Sequence, residues 1–445
     1  MWMQLIKAER QKKKISGAAS IKSKLAIATC TLLQAGTQTA QAESEEWNVD
    51  TAVLYYSESD SRVQVIEPVV TAVKELDEDE FLKIKLVYDS LTGSTPYGAL
   101  PTNQVQTITN PSGNSNYTTP ANELPMNSTF RDTRFSAGVD WTVPFDRLKK
   151  FTLGGNFSKE YDFISFGGSA AYAQDTSDRS RTYSVALGFT SDKWDPIGGK
   201  NTEFAYMIDG ESSSPQPKGG TDTKTTTDFM LGLTQVINRS TLMQFNLGFS
   251  NSSGYLTDPY RYISLVDGTT GTPLLGAGAP TDAFPYLYEK RPDSRSRNTF
   301  FWKTVHHLNE DVINISYRYF TDDWGINSHT LDFRYRYELG SRHYLQPHLR
   351  YYTQSAADFY VHSLTAGEAL PQYASADYRL GDFVGTTFGL KYGMKVGKSS
   401  EFTIRTEVMN QTYNTVGALI GEQNNQVIVP DLSAVIFQLG YNFYW

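Results

Sequence analysis

The end of the chain alternates. Val435, Phe437, Leu439, Tyr441, Phe443 and Trp445 fall on one parity, and Ala434, Ile436, Gln438, Gly440, Asn442 and Tyr444 on the other. A period of two sends neighbouring side chains to opposite faces of a strand, so one face here suits hydrocarbon and the other a mixed interior. The pattern returns upstream. Thr386, Phe388, Leu390, Tyr392, Met394 and Val396 alternate with Thr387, Gly389, Lys391, Gly393 and Lys395. Phe402, Ile404, Thr406 and Val408 alternate with Thr403, Arg405, Glu407 and Met409, and Phe333, Tyr335 and Tyr337 with Asp332, Arg334, Arg336 and Glu338. Helices do not readily produce such repetition.

The alternation predicts strands over 47–57, 62–70, 81–91, 130–143, 150–159, 163–173, 180–192, 223–237, 241–251, 297–307, 311–320, 325–338, 342–353, 383–396, 400–410 and 430–445, sixteen in all. Pro68 makes 62–70 the weakest of these, because proline removes a ladder donor. An even number returns both ends to one side. The connections on that side are then short: 71–80, 144–149, 174–179, 238–240, 308–310, 339–341 and 397–399. The opposite side receives 92–129, 193–222, 252–296, 354–382 and 411–429, rich in Gly, Ser, Thr, Asn, Asp and Pro. Outer-membrane barrels segregate long loops from short turns in this way. The expected fold is therefore all-β: a closed antiparallel transmembrane β-barrel of about sixteen strands over residues 43–445. A soluble sandwich accounts for the alternation but not for the segregation.

Residues 1–42 read as a separate signal peptide. Seven Lys or Arg before residue 25 precede the apolar run from Leu25 to Leu33, and Ala40-Gln-Ala42 gives a small-x-small cleavage pattern. Taking the seven cations and one acid of this segment from totals of 40 and 48 leaves 33 and 47, a balance of -14 instead of -8. Such acidity disfavours a nucleic-acid partner. The single cysteine, Cys30, lies within the signal, so the mature chain is expected to hold no disulfide, thiol nucleophile or cysteine-bound metal. No mature segment approaches eighteen consecutive apolar residues, which excludes a helical anchor. The mean hydropathy of -0.42 does not argue against a barrel, whose strands need only alternate residues apolar.

Carried inward, the alternation assigns to the lumen Lys83, Lys85, Arg134, Asp140, Arg318, Asp332, Arg334, Arg336, Glu338, Arg350, Lys391, Lys395, Arg405 and Glu407. Structural ion pairing explains this mixture of signs. The functional alternative is a basic strip of Arg334, Arg336 and Arg350 that attracts carboxylate or phosphate, with Asp332 and Glu338 on the same face to neutralise it. The six histidines, among them His329, His343 and His348, show no metal-ligand spacing. Asp192, Asp195, Asp222 and Asp228 lack a calcium-loop pattern and read as solvated loop acids. No nucleophile or base stands out, so no enzyme activity, catalytic residue, metal or other cofactor is expected.

Tyr55-Tyr56, the Arg62-Val63 region and Asp89-Ser-Leu-Thr-Gly93-Ser-Thr-Pro96-Tyr-Gly98-Ala resemble the bacterial DUF3570 family of unknown function. Arg131-Asp-Thr-Arg134 and Ser158-Lys-Glu-Tyr-Asp162 also look like that family. The resemblance implies a protein of the outer membrane of a Gram-negative bacterium and supplies no substrate. Asp89, Gly93, Pro96 and Gly98 form a candidate rim, where bends and a restricted exit suit a plain strand-to-loop transition, a surface that recognises a partner, or a segment folded over the lumen. The acidic 71–80 stretch is the largest short-side connection and a candidate docking point for a periplasmic component. Expected partners are outer-membrane lipid and lipopolysaccharide, with a periplasmic or surface protein as a further candidate; no oligomeric state follows. Two roles stay open: admission of a small polar or anionic solute without covalent chemistry, or a structural or docking barrel.

Overall fold

The computed structural model describes residues 46–59, 62–111, 113–126, 131–397 and 399–445. The expected signal peptide, 1–42, lies outside the described residues. In chain order the strands are β1 (Asn48–Glu58), β2 (Val63–Asp77), β3 (Glu80–Gly93), β4 (Gln106–Thr109), β5 (Asn116–Thr119), β6 (Arg131–Asp146), β7 (Lys149–Lys159), β8 (Phe163–Asp175), β9 (Arg181–Trp194), β10 (Tyr206–Ile208) and β11 (Asp222–Asn238). They continue as β12 (Thr241–Gly254), β13 (Tyr262–Val266), β14 (Ala283–Tyr288), β15 (Ser294–Leu308), β16 (Asp311–Asp322), β17 (Asn327–Leu339), β18 (His343–Gln354), β19 (Ser363–Thr365), β20 (Phe383–Val396), β21 (Ser400–Tyr413) and β22 (Leu432–Tyr444).

Sixteen of these strands close into one antiparallel barrel, and the remaining six belong to the long loops. Closure joins the first strand to the last, with β1 and β22 in register from Asn48↔Tyr444 to Glu58↔Ala434. Backbone bonds between Trp47 and Trp445 extend the seam by one residue. The alternation selects the faces. Phe166, Leu187, Phe189 and Phe388 are each more than half exposed on the outside, whereas Tyr56, Ala434 and Ile436 are buried within. In water each such outer side chain would forgo about 1.5–3 kcal/mol of burial, which a hydrocarbon surround supplies. No described helix is long and apolar enough to cross a membrane.

The strand expected to be weakest is among the longest. β2 pairs with β1 straight through Pro68, opposite Val53. On its other side the ladder with β3 goes from Ile66↔Ser90 to Val69↔Val87 in unchanged register. A missing proline donor therefore interrupts the β3 ladder without moving it. This corrects the expected 71–80 connection. Thr71 to Asp77 continue the strand, and only Glu78 and Asp79 turn the hairpin, with Asp79 at φ 64°. Aspartate tolerates that left-handed conformation better than most residues. The acidic docking loop thus does not exist as a loop. The other turns on this side span two to five residues, and 94–130, 195–221, 255–293, 355–382 and 414–431 all leave the opposite side.

Replacing Leu187, at mid-height on the outer face of β9, with arginine should destabilise the barrel by about 2–4 kcal/mol in bilayers. Urea unfolding in phospholipid vesicles, followed by tryptophan fluorescence, measures it.

Candidate functional site

The five long loops bond to one another. β10, β14, β13 and β19 form a four-stranded sheet from three of them, and β4 pairs with β5 in a fourth. The fourth joins the sheet through Leu100 N donating to Ser264 Oγ at 2.9 Å and Thr109 Oγ1 to the Ile208 carbonyl at 2.6 Å. The fifth joins through Glu422 N donating to the Thr270 carbonyl and Gln423 Nε2 to Ser363 Oγ, at 2.8 and 3.0 Å. Tyr97, Ile108, Met207, Tyr262, Tyr286 and Tyr288 make its apolar centre. Because the loops leave the barrel at five points around its circumference, their union caps one mouth.

The rim residues are the joint between barrel and cap. Asp89 is buried and accepts from Arg134 Nε and Nη2 at 2.9 and 2.8 Å, a charge-assisted pair across β3 and β6. Gly93 has φ +96°, and a Cβ there would lie 1.9 Å from the Arg62 carbonyl oxygen. The Pro96 carbonyl accepts from Arg261, whose guanidinium lies 5.5 Å from the centre of the Tyr97 ring. Burial pushes the Tyr97 hydroxyl up to about 12. Gly98, at φ +116°, leaves no room for a Cβ against the Tyr262 carbonyl, 2.1 Å away. The Asp89 to Gly98 stretch is thus a segment folded onto the cap, not a free strand-to-loop exit.

Behind Arg261 lies a buried cluster that sequence reasoning missed. Asp258, Glu289 and Asp377 meet Arg261, Arg291 and Arg379, three acids against three guanidiniums drawn from two loops. Arg291 Nε reaches Glu289 at 2.6 Å and its Nη2 reaches Asp377 at 2.8 Å; Arg379 Nη2 reaches Asp258 at 2.9 Å. Burial opposes ionisation of Asp258 and Asp377, but the three guanidiniums outweigh it and hold both carboxyls below the usual range. Burial raises Glu289, with Arg291 opposing it. Nothing in the local sequence marks these residues, which lie up to 121 positions apart. The one signal was a high charge and tyrosine content in loops otherwise made of small polar residues.

Of the expected lumen charges, Lys83 pairs with Asp140 across β3 and β6 at 3.9 Å, and most of those on β17 to β21 fall into two groups. Asp332 is shared by Arg334 Nε at 3.2 Å, His348 Nε2 at 2.9 Å and Arg350 Nη2 at 3.6 Å. The other nitrogen of His348 lies 2.9 Å from Glu407, so the ring bridges two carboxyl groups. Arg350 and Glu407 are buried in this knot. The second group is nearer the short turns. Arg336 pairs with Glu338 and stacks 3.7 Å from the centre of the Tyr344 ring; Lys391 Nζ lies 5.6 Å from the same ring. Lys391 and Arg405 face each other directly across β20 and β21. Lys395 is exposed at the turn end, in register with Glu401. The expected strip of Arg334, Arg336 and Arg350 is therefore divided, Arg350 being inside the knot. His329 and His343 instead bond Tyr317 and Tyr392. Asp192, Asp195 and Asp222 pair with Lys224, Lys193 and Lys200.

Residues 22–443 match the model of a family described as "Protein of unknown function (DUF3570)". No curated protein matches significantly. Among solved structures, the siderophore receptor PirA from Pseudomonas aeruginosa aligns at 6% identity and a TM-score of 0.41, over 90% of this chain and 62% of that one. PirA from Acinetobacter baumannii aligns at 9% identity and 0.40, over 88% and 58%. OccK3 (OpdO) from Pseudomonas aeruginosa aligns at 9% and 0.39, over 90% and 96%. The chain thus spans about three fifths of the two siderophore receptors.

Two outcomes follow. Gly98→Ala should leave the barrel folded and make residues 94–126 and 255–293 sensitive to limited proteolysis, read by mass spectrometry of the fragments. Acid should loosen the same cap. Depressed carboxyls stabilise fully above their unfolded values and lose that contribution as pH falls through the folded ones. Asp258 and Asp377 therefore contribute in full above about pH 4, and their contribution declines progressively as pH falls below it; Glu289, shifted upward, has the opposite sign and does not add to the acid loss. Pepsin cleavage across pH 2–4 measures the transition.

Proposed function

The chain belongs to the DUF3570 family, and from that premise we propose that it is an outer-membrane barrel that admits a small anionic solute once its cap is displaced. Passage is by binding and diffusion, with no covalent step. The short-turn end faces the periplasm and the cap faces outward, as barrels with both termini inside are oriented.

The observation that carries this reading is the Lys391 and Arg405 pair. Like charges directly opposite on neighbouring strands destabilise a sheet. Here the pair is kept, with Lys391 sharing the Tyr344 ring with Arg336. Over β16 to β21 the inward cations are Arg318, Arg334, Arg336, Arg350, Lys391, Lys395 and Arg405, seven against Asp322, Asp332, Glu338, Glu401 and Glu407. A carboxylate or phosphate entering the lower lumen relieves that excess, and planar guanidiniums favour both. The cap supports a second reading. Loops so fully bonded suit a barrel that stays shut and serves as a scaffold.

Planar-bilayer recording separates the two. The intact barrel should conduct rarely, and Asp377→Asn with Arg379→Gln should raise open probability at least tenfold. In a salt gradient the reversal potential should favour chloride over potassium, and Lys391→Ala with Arg405→Ala should remove that preference. Silence in every folded variant, together with stoichiometric co-purification of another envelope protein, would overturn transport in favour of the scaffold.

A further inference from the structure

The lipid-facing wall carries a patch that neither lumen nor cap accounts for. Just beyond the apolar belt on the cap side, outward positions are neutral on most strands, as at Gln64, Thr225, Asn251, Asn298, Asn327 and Asn410. On β6, β7 and β9 the same zone carries Arg131, Lys159 and Lys193, all exposed. No described Asp or Glu within the strands shares this outward zone. Asp195, just past β9 and itself exposed, comes within 4.0 Å of Lys193.

The registers fix the layout. Phe135 pairs with Lys159, Lys159 with Ile164, and Ile164 with Lys193. The two lysines are therefore two strands apart, roughly 10 Å between Cα atoms, a gap their side chains can close from both sides. Arg131 stands four residues beyond Phe135 on β6, about 13 Å further along the strand. Beneath them lie the exposed rings of Phe135, Phe166 and Phe189, and beside Lys159 the highly exposed Tyr161. Long basic side chains at such a border lay their stems on apolar surface and lift the charge to the headgroups.

We infer that this patch binds the phosphorylated headgroup of an outer-leaflet glycolipid, lipopolysaccharide. The inference rests on the membrane reading above. Three cations with one exposed acid between them complement phosphate through charge-assisted hydrogen bonds. Their spread along and across the wall exceeds one phospholipid headgroup and suits a sugar that bears more than one phosphate. Tyr161 offers such a sugar an aromatic face.

The test is native mass spectrometry of the intact barrel purified with lipopolysaccharide of defined structure. The wild type should retain it, and Arg131→Ala, Lys159→Ala and Lys193→Ala combined should reduce retention at least tenfold. Replacing both lysines by arginine should preserve it, and Lys74→Ala, on the turn side, should leave it unchanged. Enzymatically dephosphorylated glycolipid should bind the wild type no better than the triple variant. Unreduced retention by the triple variant, equal binding of dephosphorylated lipid, or equal displacement by phosphatidylglycerol would each overturn the inference. Heat-modifiable electrophoretic migration identifies variants that failed to fold. Failure of the wild type to insert into lipid vesicles would instead sink the membrane reading.

Discussion

Everything in this molecule depends on closing the ladder of backbone hydrogen bonds. A strand edge left open to hydrocarbon strands its N–H and C=O groups without partners, at several kcal/mol each, so a sheet with an apolar outer face has to return upon itself. β1 and β22 do this over eleven registered pairs from Asn48 to Glu58. The closing strand alternates regularly, with Val435, Phe437 and Leu439 outside and Ala434 and Ile436 inside. A one-residue shift would turn every one of those side chains to the wrong side.

Closure then creates an interior that has to be filled or hydrated, and the chain treats its two ends differently. Towards the cap, Leu54, Tyr56, Val65, Met409, Leu432 and Ile436 pack as an apolar cluster on the inner wall. Lower down the wall is ionic. The Asp332 knot pairs its charges on three strands and braces them, and nearer the turns Arg336 and Lys391 lie over the Tyr344 ring, with Glu338 paired to Arg336 and Glu401 accepting from the Tyr344 hydroxyl.

Strand order and facing were legible because a period of two is a local property, and each of the sixteen expected barrel segments overlaps an observed strand. Errors arose where local rules compete with long-range pairing. Pro68 and the acids from Glu75 to Glu80 look like breakers in isolation, yet β2 has partners on both sides, and its pairing with β1 passes Pro68 without a shift. Helping this, the charges of Glu75 and Asp77 sit at the turn end, where the wall meets water. The cap was illegible for the opposite reason. Its sheet joins segments as distant as Ser264 and Ser363, and no periodicity survives in strands of three to six residues.

The stretch most characteristic of the family resemblance, Asp89 to Gly98, is where these two regimes meet. Asp89 and Arg134 close the last turn of the wall, Gly93 lets the chain pass within contact of Arg62, and Gly98 lets it lie against the backbone at Tyr262. From there Arg261 connects the Pro96 carbonyl to the buried carboxylates of Asp258 and Asp377. A plain exit from a strand needs none of this, since any flexible polar segment would serve. Two glycines without room for a Cβ, a buried ion pair and an arginine shared between rim and cap are needed only if the cap must sit in one position. The chemistry of this block therefore concerns how the barrel is closed.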